Sequence, residues 1–292
     1  MQFGVSTWLW NSSFNGRDVS LLRKIAAFGF DFVEIPVEDP AAVDGDAIRD
    51  ALRETGLQAV VCAAVAGDRD LSSADPRKVQ MAVSYLTDCF ALARDWGCPL
   101  VAGPLYAPVG KAHLPTASER QEEWDRSATN LRRVAGIAAD HGVHLALEPI
   151  NRFETDMINT AEDAKRLIDD IGSDVVGISL DSFHMNIEEV DWCRALATAG
   201  DRLFHLQVSD SHRGVPGEGN SDWAGLREGL RRIGYDGRIS IESFSPDGSS
   251  LADAVCIWRP FAESQDAFAE RGLHFLKQWH AGDLVGAGDE SK

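Results

Sequence analysis

The sequence predicts an α/β protein built as one closed barrel, in which eight strands alternate with eight helices. Short segments with strand patterning are each followed by a segment with helical spacing, and this alternation repeats along the whole chain. The chain has 292 residues, of which 44% are hydrophobic, and a barrel of this kind takes about 250 residues. No linker interrupts the series, because proline and glycine stand singly at the ends of elements. We therefore expect a single (β/α)₈ TIM barrel over residues 1–280.

The predicted strands cover residues 2–8, 30–37, 57–64, 99–105, 143–148, 175–181, 203–209 and 238–242. Between them, apolar residues at helical spacing predict helices, several of which close at a glycine (Gly29, Gly56, Gly97, Gly142 and Gly172). Ser118 and Gln121 predict a capping box for the helix before the fifth strand. Residues 281–292 are small and polar, and we expect them to form a mobile tail.

Composition narrows the range of functions. The formal net charge of −18 disfavours binding to nucleic acids through their phosphates. No apolar run approaches the roughly 20 residues that cross a bilayer, and the first residues lack the cationic start of a signal peptide. We therefore expect a soluble, cytoplasmic protein that acts without a membrane or a nucleic acid. The cysteines show no Cys-x-x-Cys spacing and are interpreted as reduced structural thiols (Cys62, Cys89, Cys98, Cys193 and Cys256).

Three predicted strands each end in a carboxylate on the face opposite their apolar residues. In the fifth strand, Leu145 and Leu147 share one face and Glu148 lies on the other. Asp181 and Glu242 take the equivalent place on the sixth and eighth strands. If the apolar faces pack under helices, these carboxylates point into the barrel, at the end where the active sites of such barrels are built.

The seventh predicted strand carries neutral polar groups at the same level. Its alternation places one set of residues on the outer face (Phe204, Leu206 and Val208) and another on the inner face (His205, Gln207 and Ser209). A barrel interior cannot hold three lone carboxylates, because an unpaired buried charge is strongly unfavourable. A divalent cation is the simplest counter-charge, and a hard ion suits oxygen ligands.

Motifs at the ends of the last four strands run Glu148-Pro-Ile-Asn-Arg-Phe-Glu154, Leu180-Asp-Ser-Phe-His-Met-Asn186, Ser209-Asp-Ser-His-Arg-Gly214 and Ile241-Glu-Ser-Phe-Ser245. Together with Gly234-Tyr-Asp-Gly and Ile257-Trp-Arg259, they resemble the ketose 3-epimerases, a family of D-tagatose, D-allulose and L-ribulose 3-epimerases within the xylose-isomerase-like sugar isomerases. The resemblance spans nearly the whole chain and is less specific to a substrate than to the superfamily.

The resemblance implies roles for individual residues of this sequence. It implies a divalent metal site of the manganese type, with Co²⁺ or Mg²⁺ as alternatives, held by Glu148, Asp181 and Glu242. Glu148 and Glu242 would also serve as the catalytic acid and base. The positions that hold the sugar near its carbonyl group correspond to Glu154, His184 and Arg213.

One position departs from the family pattern, because the fourth ligand of the family is a histidine and Gln207 stands in its place. A glutamine oxygen can hold a hard ion, but more weakly than an imidazole. Three interpretations remain open. Gln207 replaces the histidine as a ligand, His205 moves into the site, or the site serves another reaction or has lost its metal.

These residues suit the removal of a proton beside a ketone carbonyl, which needs a base and stabilisation of the resulting enediolate. The hypothesis is divalent-metal-dependent C3 epimerisation of free ketoses through a cis-enediolate, with the two glutamates flanking the sugar. Aldose–ketose isomerisation uses the same enediolate and is one alternative. Others are a metal-dependent lyase or isomerase acting on 3-keto sugars or inositol derivatives, and a sugar-binding protein without a metal.

A few further residues have two interpretations each. Glu34 points inward alone on its strand and is expected to be structural or to support the site. His212, Trp8, Trp10 and Trp258 are candidates for sugar contacts or are ordinary packing residues. The family likeness also predicts a homodimer or a homotetramer.

Overall fold

The computed structural model describes residues 1–17 and 19–283. Its strands form a closed barrel in sequence order, and every neighbouring pair is parallel. They are β1 (Gln2–Ser6), β2 (Phe32–Pro36), β3 (Gln58–Cys62), β4 (Leu100–Gly103), β5 (His144–Leu147), β6 (Val176–Asp181), β7 (Leu203–Val208) and β8 (Arg238–Ile241). All eight predicted strands are present, which confirms the barrel.

At least one helix follows each strand, and the longer helices cover the outside of the barrel. The helices are α1 (Ser20–Phe28), α2 (Gly45–Thr55), α3 (Pro76–Asp95), α4 (Ala117–His141), α5 (Ala161–Ile171), α6 (Ser182–Glu188), α7 (Trp192–Ala199), α8 (Trp223–Ile233), α9 (Ser250–Ala254) and α10 (Gln265–Ala281). Two of them, α6 and α9, were not predicted. Gly29, Gly56, Gly142 and Gly172 adopt the left-handed conformation directly after their helices, as expected for helix-terminating glycines.

The hydrophobic residues form two separate cores. The larger core lies between the helices and the outer face of the barrel and includes Leu145 and Leu147. The smaller core fills the barrel interior and consists of Phe32, Val60, Leu100, Ala102 and Ala146, with Phe204 packed against it. Since Ala146 is inside and its two neighbours are outside, the alternation predicted for the fifth strand is correct.

Two glycines make room for the phenyl rings inside the barrel. A Cβ atom at Gly4 would overlap the ring of Phe32, and one at Gly177 would overlap the ring of Phe204. The inward position of Phe204 contradicts the prediction that it shares the outer face with Leu206. The pairing of β6 with β7 shifts register between Ile178 and Ser179, and such a bulge changes which face the next side chain occupies.

The capping box of α4 also differs from the prediction. It is formed by Thr116 and Glu119, whose side chains bind each other's backbone N–H groups, and not by Ser118 and Gln121. The part of the predicted tail from 284 to 292 lies outside the described residues. Within the described part of the chain, no helix is both long enough and apolar enough to cross a membrane.

Candidate active site

Three carboxylates meet at the C-terminal end of the barrel. Glu148 follows β5, Asp181 ends β6 and Glu242 follows β8, and none is more than 4% exposed. The backbone N–H of Glu148 donates to Gly103 O at 3.0 Å, and that of Glu242 donates to Val208 O at 3.0 Å. These bonds extend the strand ladders past the last regular residue, so the side chains keep the inward orientation of the alternation.

Asp181 connects the barrel to the short helix α6. Its Oδ1 atom accepts a hydrogen bond of 2.9 Å from the backbone N–H of Phe183 and caps the helix. One turn of this helix carries His184 back over the carboxylates, where its Nε2 atom lies 3.5 Å from Glu148 Oε1 and 3.8 Å from Asp181 Oδ2. A carboxylate that both ends a strand and caps a helix thus positions the histidine of the site.

The loop after β7 carries Arg213, whose buried guanidinium contacts the carboxylates. Arg213 is 6% exposed, and its Nη1 atom donates to Asp181 Oδ2 and, at 2.9 Å, to Glu242 Oε2. Its guanidinium carbon lies 4.2 Å from the centre of the Phe183 ring. The backbone of Arg213 has a φ of 63°, a left-handed conformation that costs a non-glycine residue about 1–2 kcal/mol. Two hydrogen bonds fix this turn, from Arg213 N to Asp210 O at 2.9 Å and from Ser243 Oγ to Arg213 O at 2.7 Å.

Gln207 joins two carboxylates through its amide nitrogen. Its Nε2 atom donates to Glu34 Oε1 at 2.6 Å and to Glu242 Oε1 at 2.7 Å. The other oxygen of Glu34, Oε2, lies 2.9 Å from His205 Nε2. Glu34, His205 and Gln207 are all fully buried, and Gln207 Oε1 has no hydrogen-bond partner. Within the described residues, the amide oxygen is therefore the end of the Gln207 side chain whose lone pairs no hydrogen bond uses.

The three carboxyl groups have raised pKa values. Burial is the main cause for Glu148, and the negative charges of Glu242 and Asp181 add to it. Burial also raises the pKa of Glu242 and of Asp181, in both cases against the opposing effect of Arg213. The carboxylates in turn raise the pKa of Arg213, although burial opposes this. Burial therefore favours the protonated form of these carboxyl groups, and the charge of Arg213 opposes this effect.

A second cluster orients the ring of His184. The Nδ1 atom of His184 accepts from the backbone N–H of Asn151 at 3.1 Å, and Asn151 Nδ2 donates to Glu154 Oε1 at 2.7 Å. Burial and the charge of Arg213 lower the pKa of His184 well below its usual value, so the ring is neutral. Because Nδ1 accepts, the network assigns the ring proton to Nε2, the atom that faces Glu148. Asn151 was not singled out in the sequence, although it lies within one of the motifs.

Two groups of three side chains among the described residues bring possible metal ligands within 4.8 Å of one another: Glu148, Asp181 and His184, and Glu34, Cys62 and Glu242. His184 is a poor ligand as it stands, because its Nδ1 lone pair accepts from Asn151 and its Nε2 atom carries the proton. Burial, followed by the charge of Glu34, raises the pKa of the Cys62 thiol well above its usual value. The carboxylates are therefore the stronger candidates in both groups.

The remaining candidates lie at different distances from this cluster. The ring of Trp8 packs against Phe244, 5.3 Å between centres, and Phe244 lies beside Arg213. Trp10 instead donates to Asp266 at 2.7 Å on the outside of the barrel. Trp258 is 70% exposed, and the exposed His212 packs edge-on against Phe261.

The sequence and the fold correspond to a known class of barrel proteins. The family model described as xylose isomerase-like TIM barrel matches residues 22–279. The L-ribulose 3-epimerase of Mesorhizobium japonicum is 34% identical over 278 residues, which cover 94% of this chain and 93% of that protein. The chain therefore belongs to the xylose isomerase-like TIM barrels and, within them, to the ketose 3-epimerases, and it is a sugar epimerase.

Two further relatives support the same assignment. The D-psicose 3-epimerase of Enterocloster bolteae is 31% identical over 289 residues, with 95% of each chain covered. The crystal structure of a D-allulose 3-epimerase from Methylomonas sp. in complex with D-allulose is similar with a TM-score of 0.90 at 30% identity, over 95% of this chain and 96% of that one. The resemblance stated from the motifs is thereby confirmed.

Proposed function

We propose that the protein epimerises free ketoses at C3 through a cis-enediolate, with a divalent metal ion and with Glu148 and Glu242 as the acid and base. The observation that carries this proposal is the meeting of these two glutamates, on strands separated by two others around the barrel, with raised pKa values in one buried cluster. Epimerisation needs a proton removed from one face of the sugar and another returned to the opposite face, and two carboxyl groups on different strands can serve the two faces.

The residues present fit a divalent ion of the manganese type, with Co²⁺ or Mg²⁺ as alternatives. The barrel mouth holds the buried carboxylates of Glu34, Glu148, Asp181 and Glu242 against the buried guanidinium of Arg213, which leaves an excess of negative charge. Gln207 Oε1 is a buried oxygen without a partner, as a vacant ligand atom would be. The ion would be held by Glu148, Asp181, Gln207 and Glu242, all of which offer oxygen atoms.

When bound, such an ion would stabilise the negative charge that develops on the sugar oxygens. The protein's own groups do the remaining work. Glu148 and Glu242 exchange protons with C3, and burial raises their pKa values, which favours the protonated form that the group returning a proton needs. Arg213 and the Nε2–H of His184 would donate hydrogen bonds to the sugar near its carbonyl group, and Glu154, held by Asn151, would accept one from a hydroxyl.

The test combines product analysis with isotope exchange. Metal-free protein is incubated with a panel of free ketoses in deuterium oxide, with and without added Mn²⁺, Co²⁺ or Mg²⁺. We expect the C3 epimer to form only with metal and to carry deuterium at C3. Formation of an aldose with deuterium incorporated at C1 or C2 would instead identify an isomerase. Epimerisation without any deuterium at C3 would refute the enediolate.

Two variants assign the acid–base pair. Glu242→Gln and Glu148→Gln keep the side-chain volume and remove the proton-transfer group, so we expect a fall in kcat of at least about 10²-fold. Glu54→Gln makes the same chemical change on the exposed surface of α2, where Glu54 pairs with Arg23, and serves as the matched control. Full activity in either barrel variant would contradict the proposed roles.

We also propose that the enzyme is cytoplasmic and forms a homodimer or homotetramer. Leu114 is 93% exposed and Phe153 is 74% exposed, and the loops that carry them are joined by the bridge between Lys111 and Thr155. Apolar side chains on ordered loops are typical of interfaces between subunits. Sedimentation equilibrium of the native chain and of a Leu114→Ser/Phe153→Ser variant tests this, and a native monomer would refute it.

A further inference from the structure

Glu34 is fully buried on β2, and both of its oxygen atoms are bound by residues of β7. Oε1 accepts from Gln207 Nε2 at 2.6 Å, and Oε2 lies 2.9 Å from His205 Nε2. The two partners stand two positions apart on the same strand, and both are fully buried. Glu34 is therefore held at a fixed place relative to Gln207 by two contacts.

A glutamine ligand raises a problem that a histidine ligand does not. The amide oxygen and the amide nitrogen occupy nearly equivalent positions, and rotation of the terminal group exchanges them. Only the oxygen can hold a cation, because the nitrogen presents hydrogen atoms and has no free lone pair. A site that uses Gln207 thus needs a neighbour that selects one of the two orientations.

The contacts of Gln207 show this selection. Nε2 has two hydrogen atoms, and two carboxylate oxygens lie within hydrogen-bond distance of it, Glu34 Oε1 at 2.6 Å and Glu242 Oε1 at 2.7 Å. Oε1 is the atom left without a partner. In the reversed orientation the amide oxygen would face both carboxylates, which is electrostatically unfavourable.

We propose that Glu34 is a positioning residue that holds the Gln207 amide with its oxygen presented as a metal ligand, and that His205 holds Glu34 in place for this purpose. The inference rests on the divalent ion of the proposed function. Glu242 cannot fulfil this role alone, since it would be a ligand itself and its oxygens are shared with Arg213. Ligand atoms in metal sites commonly depend on such supporting hydrogen bonds for their orientation.

Two substitutions of Glu34 separate orientation from charge. Glu34→Asp keeps the negative charge but withdraws the carboxylate by one methylene group, so the contact with Gln207 is lost. Glu34→Gln keeps the length and an acceptor oxygen for Gln207 Nε2 but removes the charge. An orienting role predicts weaker metal binding in Glu34→Asp than in Glu34→Gln, whereas a purely electrostatic role predicts the reverse order.

The measurement is the dissociation constant of Mn²⁺ for metal-free full-length protein, obtained from the paramagnetic resonance signal of free Mn²⁺ during titration. We expect Glu34→Asp to weaken binding by about 10–100-fold. The same substitution in a Gln207→Leu background should weaken it by a smaller factor, because no amide remains to be oriented. Glu189→Gln is the matched control, since Glu189 is a half-buried carboxylate that accepts from Ala161 N outside the barrel.

The outcomes separate this inference from the proposed function. The role of Glu34 is overturned if Glu34→Asp weakens Mn²⁺ binding as much or more in the Gln207→Leu background as in the native chain. It is also overturned if Glu34→Gln binds Mn²⁺ more weakly than Glu34→Asp. Tight Mn²⁺ binding by native protein without epimerase activity overturns the proposed function and leaves the inference standing. Absence of Mn²⁺ binding by native protein, together with absence of Co²⁺ and Mg²⁺ binding in calorimetric titrations, overturns both. Urea unfolding of each metal-free variant verifies folding. If Glu34→Asp does not fold, Glu34→Leu, which also removes the acceptor for Gln207 Nε2, is compared with Glu34→Leu/Gln207→Leu instead.

Discussion

The excess of buried negative charge at the barrel mouth predicts an unusual dependence of stability on pH and metal. Burial raises the pKa values of Glu148, Asp181 and Glu242, so the metal-free folded protein retains protons that the unfolded chain has lost. A group whose pKa is raised on folding contributes its full stability below the pKa of the unfolded chain, about 4 for these residues, and loses it as the pH rises through the folded value. The metal-free protein should therefore become less stable as the pH rises above about 5.

The size of the effect follows from proton linkage. For one carboxyl group that is protonated in the folded state and ionised in the unfolded chain, the free energy of unfolding falls by about 1.4 kcal/mol per pH unit. A divalent ion reverses the trend, because its ligands must be deprotonated. At a free concentration of about 100 times the dissociation constant, the ion adds about 2.7 kcal/mol.

The assay is urea unfolding of the native chain at a series of pH values, with a chelator or with Mn²⁺. The Glu242→Gln variant is measured in parallel, because it removes one titrating group and leaves the acidic surface unchanged, so the difference between the two proteins isolates the interior contribution. We expect the slope against pH to be shallower in the variant. Metal-free native protein that gains stability from about pH 5 to about pH 8, or a variant with the same slope, would refute the reasoning.

Three further predictions follow from the contacts described above. Gly177→Ala should destabilise the protein by about 1–3 kcal/mol in urea unfolding, because the added Cβ atom would overlap the Phe204 ring. Gly136→Ala is the control and should not destabilise it, because no atom lies within 4 Å of the added Cβ. Equal stability of the two variants would contradict the packing. Arg213→Met leaves buried carboxylates without their cation and should lower the free energy of unfolding of metal-free protein at neutral pH by about 3–5 kcal/mol, with partial recovery in acid; a loss independent of pH would argue against the charge explanation. Gln207→His should lower the Mn²⁺ dissociation constant measured by titration, because imidazole is the stronger ligand, and unchanged affinity would indicate that position 207 does not ligate the ion.

Much of the site could be predicted from the sequence because its geometry follows from strand alternation. Each of the three carboxylates follows an apolar residue whose side chain points outward (Glu148, Asp181 and Glu242). Because side chains alternate along a strand, the carboxylates point into the barrel, and this result does not depend on how the helices pack. The closed barrel then brings residues that are far apart in sequence to the same end. The proposed roles of these residues stay predictions, whereas their common location is observed.

The sequence-based predictions were wrong or incomplete where the structure depends on contacts with another element, or where the segment is too short or too ambiguous to show a clear pattern. The inward turn of Phe204 depends on a register shift against β6, which a single strand does not reveal. The start of α4 offered two overlapping motifs of the same type, and Thr116 with Glu119 begins the helix two residues earlier than Ser118 with Gln121 would. The helix that carries His184 is only seven residues long, too short for a clear helical period.

The rings of Phe32 and Phe204 lie inside the barrel near the N-terminal ends of β2 and β7, away from the acids. Phe204 packs against the interior cluster on one side, and on the other it lines a cavity of about 510 Å³ at the opposite end of the barrel, next to Leu100, His144 and Arg238. Among the described residues, this interior cluster lies between Glu148, Asp181 and Glu242 at one end of the barrel and the cavity at the other. We therefore expect a sugar to reach the acids past the loops at the C-terminal end of the barrel, and its product to leave past the same loops.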